Sequence, residues 1–295
     1  MTYLLPLVLF IVPLGAFITI VELWTAVTRR RDRRSPVVGE LLRAPGQSLQ
    51  ENLNDLRART IALLLLVCGI PTALYACYLN YLFVEHGPSG LAIFEIIAGA
   101  GIFTWLFGLC WMTRLFKQRR ILQLGMDAEM AAGQELNQLM LDGYSVFHDL
   151  PAQNFNIDHV VVGRSGVYAV ETKGRPKVKL AEGGGAEVIC DGKSLAFPVW
   201  RESEPLKQAT RQAKWLSDWL TTAVGEPIRA KPILILLGWF IKRTGIQEIP
   251  VLSGREVRDY LLGRRAVELS SAQIHRICHQ LDRRCRNVAP KAYQS

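Results

Sequence analysis

The sequence predicts an α-helical transmembrane anchor joined to an α/β cytoplasmic domain. Three observations predict it. Apolar runs long enough to span a bilayer fall at about residues 3–27, 61–84 and 91–116. Arginine and lysine gather at particular ends of those runs. From about residue 121 the hydrophobic period changes to mixed helix and strand. The composition agrees: 49% of the residues are hydrophobic, yet the net charge is +9. Apolar and charge excess rarely share one surface, so the two are expected to be segregated along the chain.

The first run resembles a signal peptide in position. It lacks a basic leading region and a small-residue cleavage site, and it runs straight into Arg29, Arg30, Arg31, Arg33 and Arg34. That pattern predicts a retained anchor. The loop up to Arg59 is strongly basic, the link at 85–90 has no Lys or Arg, and Arg114, Lys117, Arg119 and Arg120 follow the third run. Retention of positive charge on the cytoplasmic side then predicts a multi-pass protein of the inner (cytoplasmic) membrane. Its N-terminus lies outside and its C-terminal domain is cytoplasmic. The expected divisions are a first span at 1–28, a basic cytoplasmic loop at 29–59, a hairpin of two spans at 60–116, and a domain at 121–295 ending in a helical extension. Asn80 and Glu95 sit close to an interface rather than at mid-membrane, which favours anchoring over transport. Gly99 and Gly101 would permit close helix approach, and the basic loop would lie on the lipid bilayer.

Six cysteines form no CxxC pair, and three of them (Cys68, Cys77, Cys110) lie inside the apolar runs. Reduced thiols are expected, not a disulfide framework or a structural zinc site. In the C-terminal helix, His275, Cys278, His279 and Cys285 suggest metal ligation. Helical spacing instead puts Cys278 and Cys285 on the stripe of Ile274, Ile277 and Leu281, which is core.

The chemistry is concentrated at 125–173. A helix at 125–142 places Ala132, Gly133, Leu136, Leu139 and Met140 on one stripe, with Glu129 near its centre. A carboxylate on a buried face is costly unless paired or bound to a cation. Two β-branched runs follow, Asn156 to Val162 and Val167 to Lys173, joined by Gly163-Arg164-Ser165-Gly166, and they read as a hairpin. Glu171 and Lys173 are two apart and leave the same face of one strand. Asp158 starts the neighbouring strand and can be brought beside them. Two carboxylates can hold Mg²⁺, or Mn²⁺, and lower the pKa of a bound water, while the lysine positions that water or stabilises the phosphorane. His159 faces the other side of the strand and reads as packing or as a group supporting the site from behind, rather than as a direct catalyst.

These residues resemble the NERD (nuclease-related domain) family, a branch of the PD-(D/E)xK nuclease superfamily. The resemblance rests on Ala128-Glu129, on Ile157-Asp158-His159-Val160-Val161-Val162, on Gly166-Val-Tyr-Ala-Val-Glu171-Thr-Lys173, and on Pro205-Leu-Lys-Gln208. Ala128 stands where the family usually has glycine. The resemblance implies a restriction-endonuclease-like mixed sheet flanked by helices. It also implies Asp158 and Glu171 as metal ligands, Lys173 as catalytic lysine, Glu129 as accessory acid, Gln208 as auxiliary polar contact, and DNA as substrate. Beyond it, a helix at 204–222 carries Lys207, Arg211 and Lys214 at i, i+4 and i+7. That ridge reads equally as a phosphate contact or as a solvated face. Two functional classes stand at this point. One is a membrane-tethered, Mg²⁺-dependent nuclease hydrolysing DNA phosphodiester bonds at the cytoplasmic face. The other is a catalytically weak or inactive scaffold or sensor holding nucleic acid or protein at the membrane.

Overall fold

The computed structural model describes residues 19, 20, 22, 23, 36, 37, 39–84, 90–177, 186–264 and 266–290. Apart from four positions, the expected first span lies outside the described residues, as do the arginine cluster at 29–34 and most of the link at 85–90. The chain divides into two units, one built on Leu53–Arg120 and the other on Gly39–Asn52 with Ile121–Ala289.

The first unit is made from helices α1 (Gln47–Val84) and α2 (Gly90–Asn137). Over Gln47–Leu79 and Phe94–Asp142 they are long and apolar enough to cross a membrane. Their apolar side chains point outward: Leu65, Ile96 and Phe103 are each about 70% exposed. Tyr78 packs on Phe94 with ring centroids 5.2 Å apart. The close approach comes at Gly108, where a Cβ would sit 2.1 Å from Val67 Cγ2. Gly99 meets nothing within 4 Å and Gly101 makes only an ordinary contact with Pro71.

The second unit starts with strand β1 (Leu41–Leu42) and contains the end of α2. The amphipathic helix expected at 125–142 is that end, tightened into a 3₁₀ segment over Gln138–Asp142 and closed by Gly143 at φ 82°. Dropping from 3.6 to three residues per turn rotates the stripe. Leu139 stays buried, while Met140 turns outward.

Then follow β2 (Ser145–Pro151), β3 (Asn156–Gly163), β4 (Gly166–Lys173), β5 (Glu187–Cys190), β6 (Leu195–Ala196) and β7 (Arg201–Glu202). After helix α3 (Glu204–Val224) come β8 (Ala230–Leu236), β9 (Phe240–Arg243) and β10 (Val251–Leu252). Helices α4 (Glu256–Leu262) and α5 (Ser271–Cys285) and strand β11 (Arg286–Val288) finish the unit.

The central sheet has the order β10-β8-β4-β3-β2. β2, β3 and β4 are antiparallel, and β4, β8 and β10 are parallel, so the sheet is mixed. Alternation assigns its faces. Val160, Val162, Val167 and Ala169 pack under α3 and α5. Val161, Tyr168, Val170, Ile233 and Ile235 pack under α2 and α4. With both faces covered, β4 is buried along its length except at Lys173. A second sheet, β7-β6-β5-β9, lies beside a cluster of Phe197, Trp200 and Trp239. The apolar run at 231–241 is two strands, because Gly238 at φ 75° turns the chain between β8 and β9.

The stretch expected as a basic loop at 29–59 holds structure from residue 41 onward. Its β1 pairs antiparallel with β11, Leu41 opposite Val288. α5 begins at a capping box in which the Ser270 side chain accepts from the Gln273 N–H and the Gln273 side chain answers the Ser270 N–H. Ile277, Leu281 and Cys285 form its buried stripe, with Cys278 and Ile274 partly buried beside it.

Candidate functional site: an acidic cluster at the end of β3 and β4

Asp158 lies at the start of β3 and Glu171 near the end of β4, so the antiparallel register brings them together. His159 pairs with Val170, one position on. The Asp158 Oδ2 accepts the Thr172 N–H at 2.7 Å, which ties the first acid to the strand bearing the second. Glu171 is 1% exposed, and the Lys173 ammonium donates to its Oε1. Glu129 arrives from α2 and is buried against the same group. Gly174 explains how α2 comes so near, since a Cβ there would fall 2.9 Å from the Ala128 Cβ and 2.7 Å from the Leu124 carbonyl oxygen.

The electrostatics follow from putting three carboxylates and one ammonium in a dry place. Burial first, then repulsion from Asp149 and Glu171, pushes Glu129 up to about 7. Burial, then Glu171 and Glu129, holds Asp158 well above the usual carboxylate range. Glu171 is raised by burial, against the opposing pull of Lys173 and Gln212. The cluster is short of positive charge.

Among the described residues, no group of three or more His, Cys, Asp or Glu side chains is arranged to hold a metal ion by itself. The donors fit a different arrangement. A hard divalent cation of the Mg²⁺ type is commonly held by one or two carboxylates, with waters and substrate phosphates completing its shell. Asp158 and Glu171 would supply such a pair. The buried Gln212 Oε1, which has no hydrogen-bond partner, adds an unmet acceptor beside them.

Gln212 was missed in the sequence. Its amide donates to Glu171 Oε2 at 2.5 Å and to the Asn156 carbonyl at 3.2 Å, from a side chain 1% exposed. Gln208, one helical turn earlier on the same flank of α3, is partly buried and makes no hydrogen bond to the cluster. Lys207, Arg211 and Lys214 are exposed on the neighbouring flank, with Arg211 paired to Glu204 at 2.7 Å.

The segment before α1 also reaches the site. The Gly46 N–H faces Glu129 and favours its ionised form, and Gly46 takes φ +71°. Asp149, at φ 49° and 1% exposed, holds that segment. Its carboxylate accepts from Arg43 Nε, the Ser48 N–H, Ser48 Oγ and Asn156 Nδ2, each at 2.8 Å. One local signal was present: the apolar pair Leu41-Leu42, closed by the turn residues Pro45-Gly46.

His159 lies on the α2 face and is fully buried. Its Nδ1 is 2.9 Å from His148 Nδ1, and His148 Nε2 is 3.0 Å from Asn137 Oδ1. With Asn137 Oδ1 accepting, His148 carries its proton on Nε2 and accepts at Nδ1. His159 therefore donates from Nδ1 and leaves a bare Nε2 inside the core. Burial pushes His148 down to about 4 and His159 lower than usual as well. Both rings are neutral packing groups.

A mixed sheet between helices, with an acid pair and a lysine at the ends of two adjacent strands, is consistent with a nuclease-related α/β fold. Residues 124–237 match the family model described as Nuclease-related domain, NERD. That match covers every member of the cluster from Glu129 to Gln212. No curated protein and no solved structure matches the chain.

Proposed function

We propose that the chain is a membrane-tethered nuclease that hydrolyses DNA phosphodiester bonds with the help of Mg²⁺ or Mn²⁺. One observation carries the reading: Glu129, Asp158, Glu171 and Lys173 converge from a helix and two strands into one cluster with surplus negative charge. A bound divalent cation at Asp158 and Glu171 would neutralise that surplus and offset charge developing on a phosphate. Thr172 fixes Asp158 through its N–H, and Gln212 fixes Glu171 at Oε2. Lys173, 20% exposed at its side chain while Glu171 is 1% exposed, presents its ammonium toward arriving substrate and can hold or pass a proton at Nζ. Glu129, with its proton affinity raised to about 7, is suited to exchange protons near neutral pH. The outward-facing apolar helices of the first unit support membrane attachment, with the domain on the cytoplasmic side as the basic residues predict.

The test is to incubate the full chain, in detergent, with plasmid and linear DNA in Mg²⁺, Mn²⁺ or EDTA. Metal-dependent cleavage is expected, lost in Asp158→Ala and Lys173→Ala. DNA binding without cleavage, unaltered by both substitutions, would replace this reading with a scaffold. Within the same assay Gln212→Leu is expected to lower cleavage by about 10–100-fold, the usual scale for a residue that orients a metal ligand. Gln208→Leu should leave it unchanged. The reverse ranking would return the auxiliary role to Gln208.

A further inference from the structure

We propose that Phe155 and Trp215, bordered by Lys207, Arg211 and Lys214, form a stacking subsite for an unpaired nucleotide base, so that the preferred ligand is single-stranded nucleic acid. The inference deepens the reading of the acidic cluster as a phosphodiester site and rests on it for the strand's path.

Phe155 sits at the end of the turn between β2 and β3, where the Ala152 N–H bonds to the Phe155 carbonyl at 2.9 Å. It is 37% exposed, an open position for a large aromatic ring. Its ring meets Trp215 edge-to-face, with centroids 5.7 Å apart and planes at 76°. Trp215 is itself fixed. It stacks on Trp219 with planes 2° apart, and the Arg284 guanidinium lies over both rings at 5.2 and 5.0 Å. Arg284 is pinned in turn, its Nε donating to the Pro151 carbonyl at 2.6 Å. The tryptophan pair is thus a rigid support joining α3 to α5. Phe155 is the outer member of this group: one side of its ring meets Trp215 and more than a third of the residue stays open.

Its location gives the ring a use. Phe155 directly precedes Asn156, whose carbonyl accepts from the same Gln212 amide that holds Glu171. Trp215 lies three residues after Gln212 on α3, about 4.5 Å along the helix axis. Phe155 and Trp215 are thus each within a few residues of the groups that hold Glu171, so one strand can reach both the acidic cluster and the ring. The exposed cations of α3 stand on the adjacent flank, where they can follow a phosphate chain. A base offers its face to a protruding ring only when no neighbouring base pair covers it. This favours a single strand over a duplex.

The test is fluorescence anisotropy of the full chain in detergent with EDTA, using a short labelled oligothymidylate and a duplex of equal length. The oligothymidylate is expected to bind more tightly. Phe155→Ala and Phe155→Leu should each weaken it by roughly 10-fold, with duplex binding unaltered and Phe155→Trp restoring affinity. Loss in the leucine variant, which keeps the apolar bulk, marks stacking rather than packing. Lys214→Glu should weaken both ligands and reduce the salt slope by about 1. Equal oligothymidylate affinity in Phe155→Ala, tighter duplex binding, or no binding of either ligand would overturn the subsite. Phe155-dependent binding without cleavage would leave the subsite standing and remove the nuclease reading. Cleavage with binding indifferent to Phe155 would do the opposite.

Discussion

Asp158→Asn is expected to abolish cleavage while making the metal-free protein more stable. The two effects have one cause. Glu129, Asp158 and Glu171 repel one another in a buried site, and Lys173 offsets only part of the repulsion. Asparagine keeps an oxygen to accept the Thr172 N–H and removes one charge. Stabilisation on the order of 1–2 kcal/mol follows from relieving a like-charge neighbour of buried carboxylates. Cleavage should fall by at least about 100-fold, because the lost charge is a proposed metal ligand.

The pH dependence gives the sign. Glu129 is raised from 4.5 unfolded to about 7 folded, so the native state binds its proton more tightly than the unfolded chain does. Its contribution to stability is full below about 4.5, declines as pH rises, and is gone above about 7. At 1.36 kcal/mol per unit that decline is about 3 kcal/mol. Chemical unfolding in EDTA, followed by tryptophan emission, should show stability falling between pH 5 and 8 in the parent and falling less in Asp158→Asn. Mg²⁺ should restore stability to the parent only. Destabilisation by Asp158→Asn throughout that range would remove the account of a repulsive cluster.

The second large effect is expected at Asp149, away from the reacting groups. Its carboxylate faces Arg43 Nη2 at 2.6 Å, with the two side chains 1% and 10% exposed. Asp149→Ala leaves a largely buried guanidinium without its partner and frees Ser48 and Asn156 as well. Breaking such a pair costs about 3–5 kcal/mol. The left-handed φ of 49° acts in the same direction, since aspartate and asparagine tolerate it better than alanine. Asp149→Asn keeps the backbone preference and some of the hydrogen bonds, and should fall between. Denaturant midpoints measure both, and a loss under about 1 kcal/mol in Asp149→Ala would show the clamp to be superficial.

The parts legible in the sequence are those that depend on local period. Alternation places Glu171 and Lys173 on one face, the Gly163–Gly166 turn folds Asp158 back beside them, and a 3.6-residue stripe marks Glu129 as buried. The glutamine shows where periodicity stops informing. Residues 208 and 212 are one turn apart on α3 and share a flank, so spacing alone cannot choose between them. Only the depth at which α3 crosses β4 does, and packing sets that. The Arg43–Asp149 clamp was still less accessible. Its partners are 106 residues apart, and an arginine in a basic stretch carries no local sign of the acid it will meet.

The pairing of β1 with β11 has a consequence for how the protein is made. The second unit is discontinuous, with Leu53–Arg120 inserted between its two pieces. Arg43 donates to Asn287, 244 residues later. During vectorial synthesis the first strand must wait, unpaired, until both long apolar helices have been translated and the last strand has left the ribosome. Contacts of such long range make closure slow, and they place it after membrane insertion of the hairpin if the helices span a bilayer. A fragment cut at residue 121 would have β11 as a bare edge and Asp149 without its guanidinium. The second unit therefore begins at residue 39, ahead of both apolar helices.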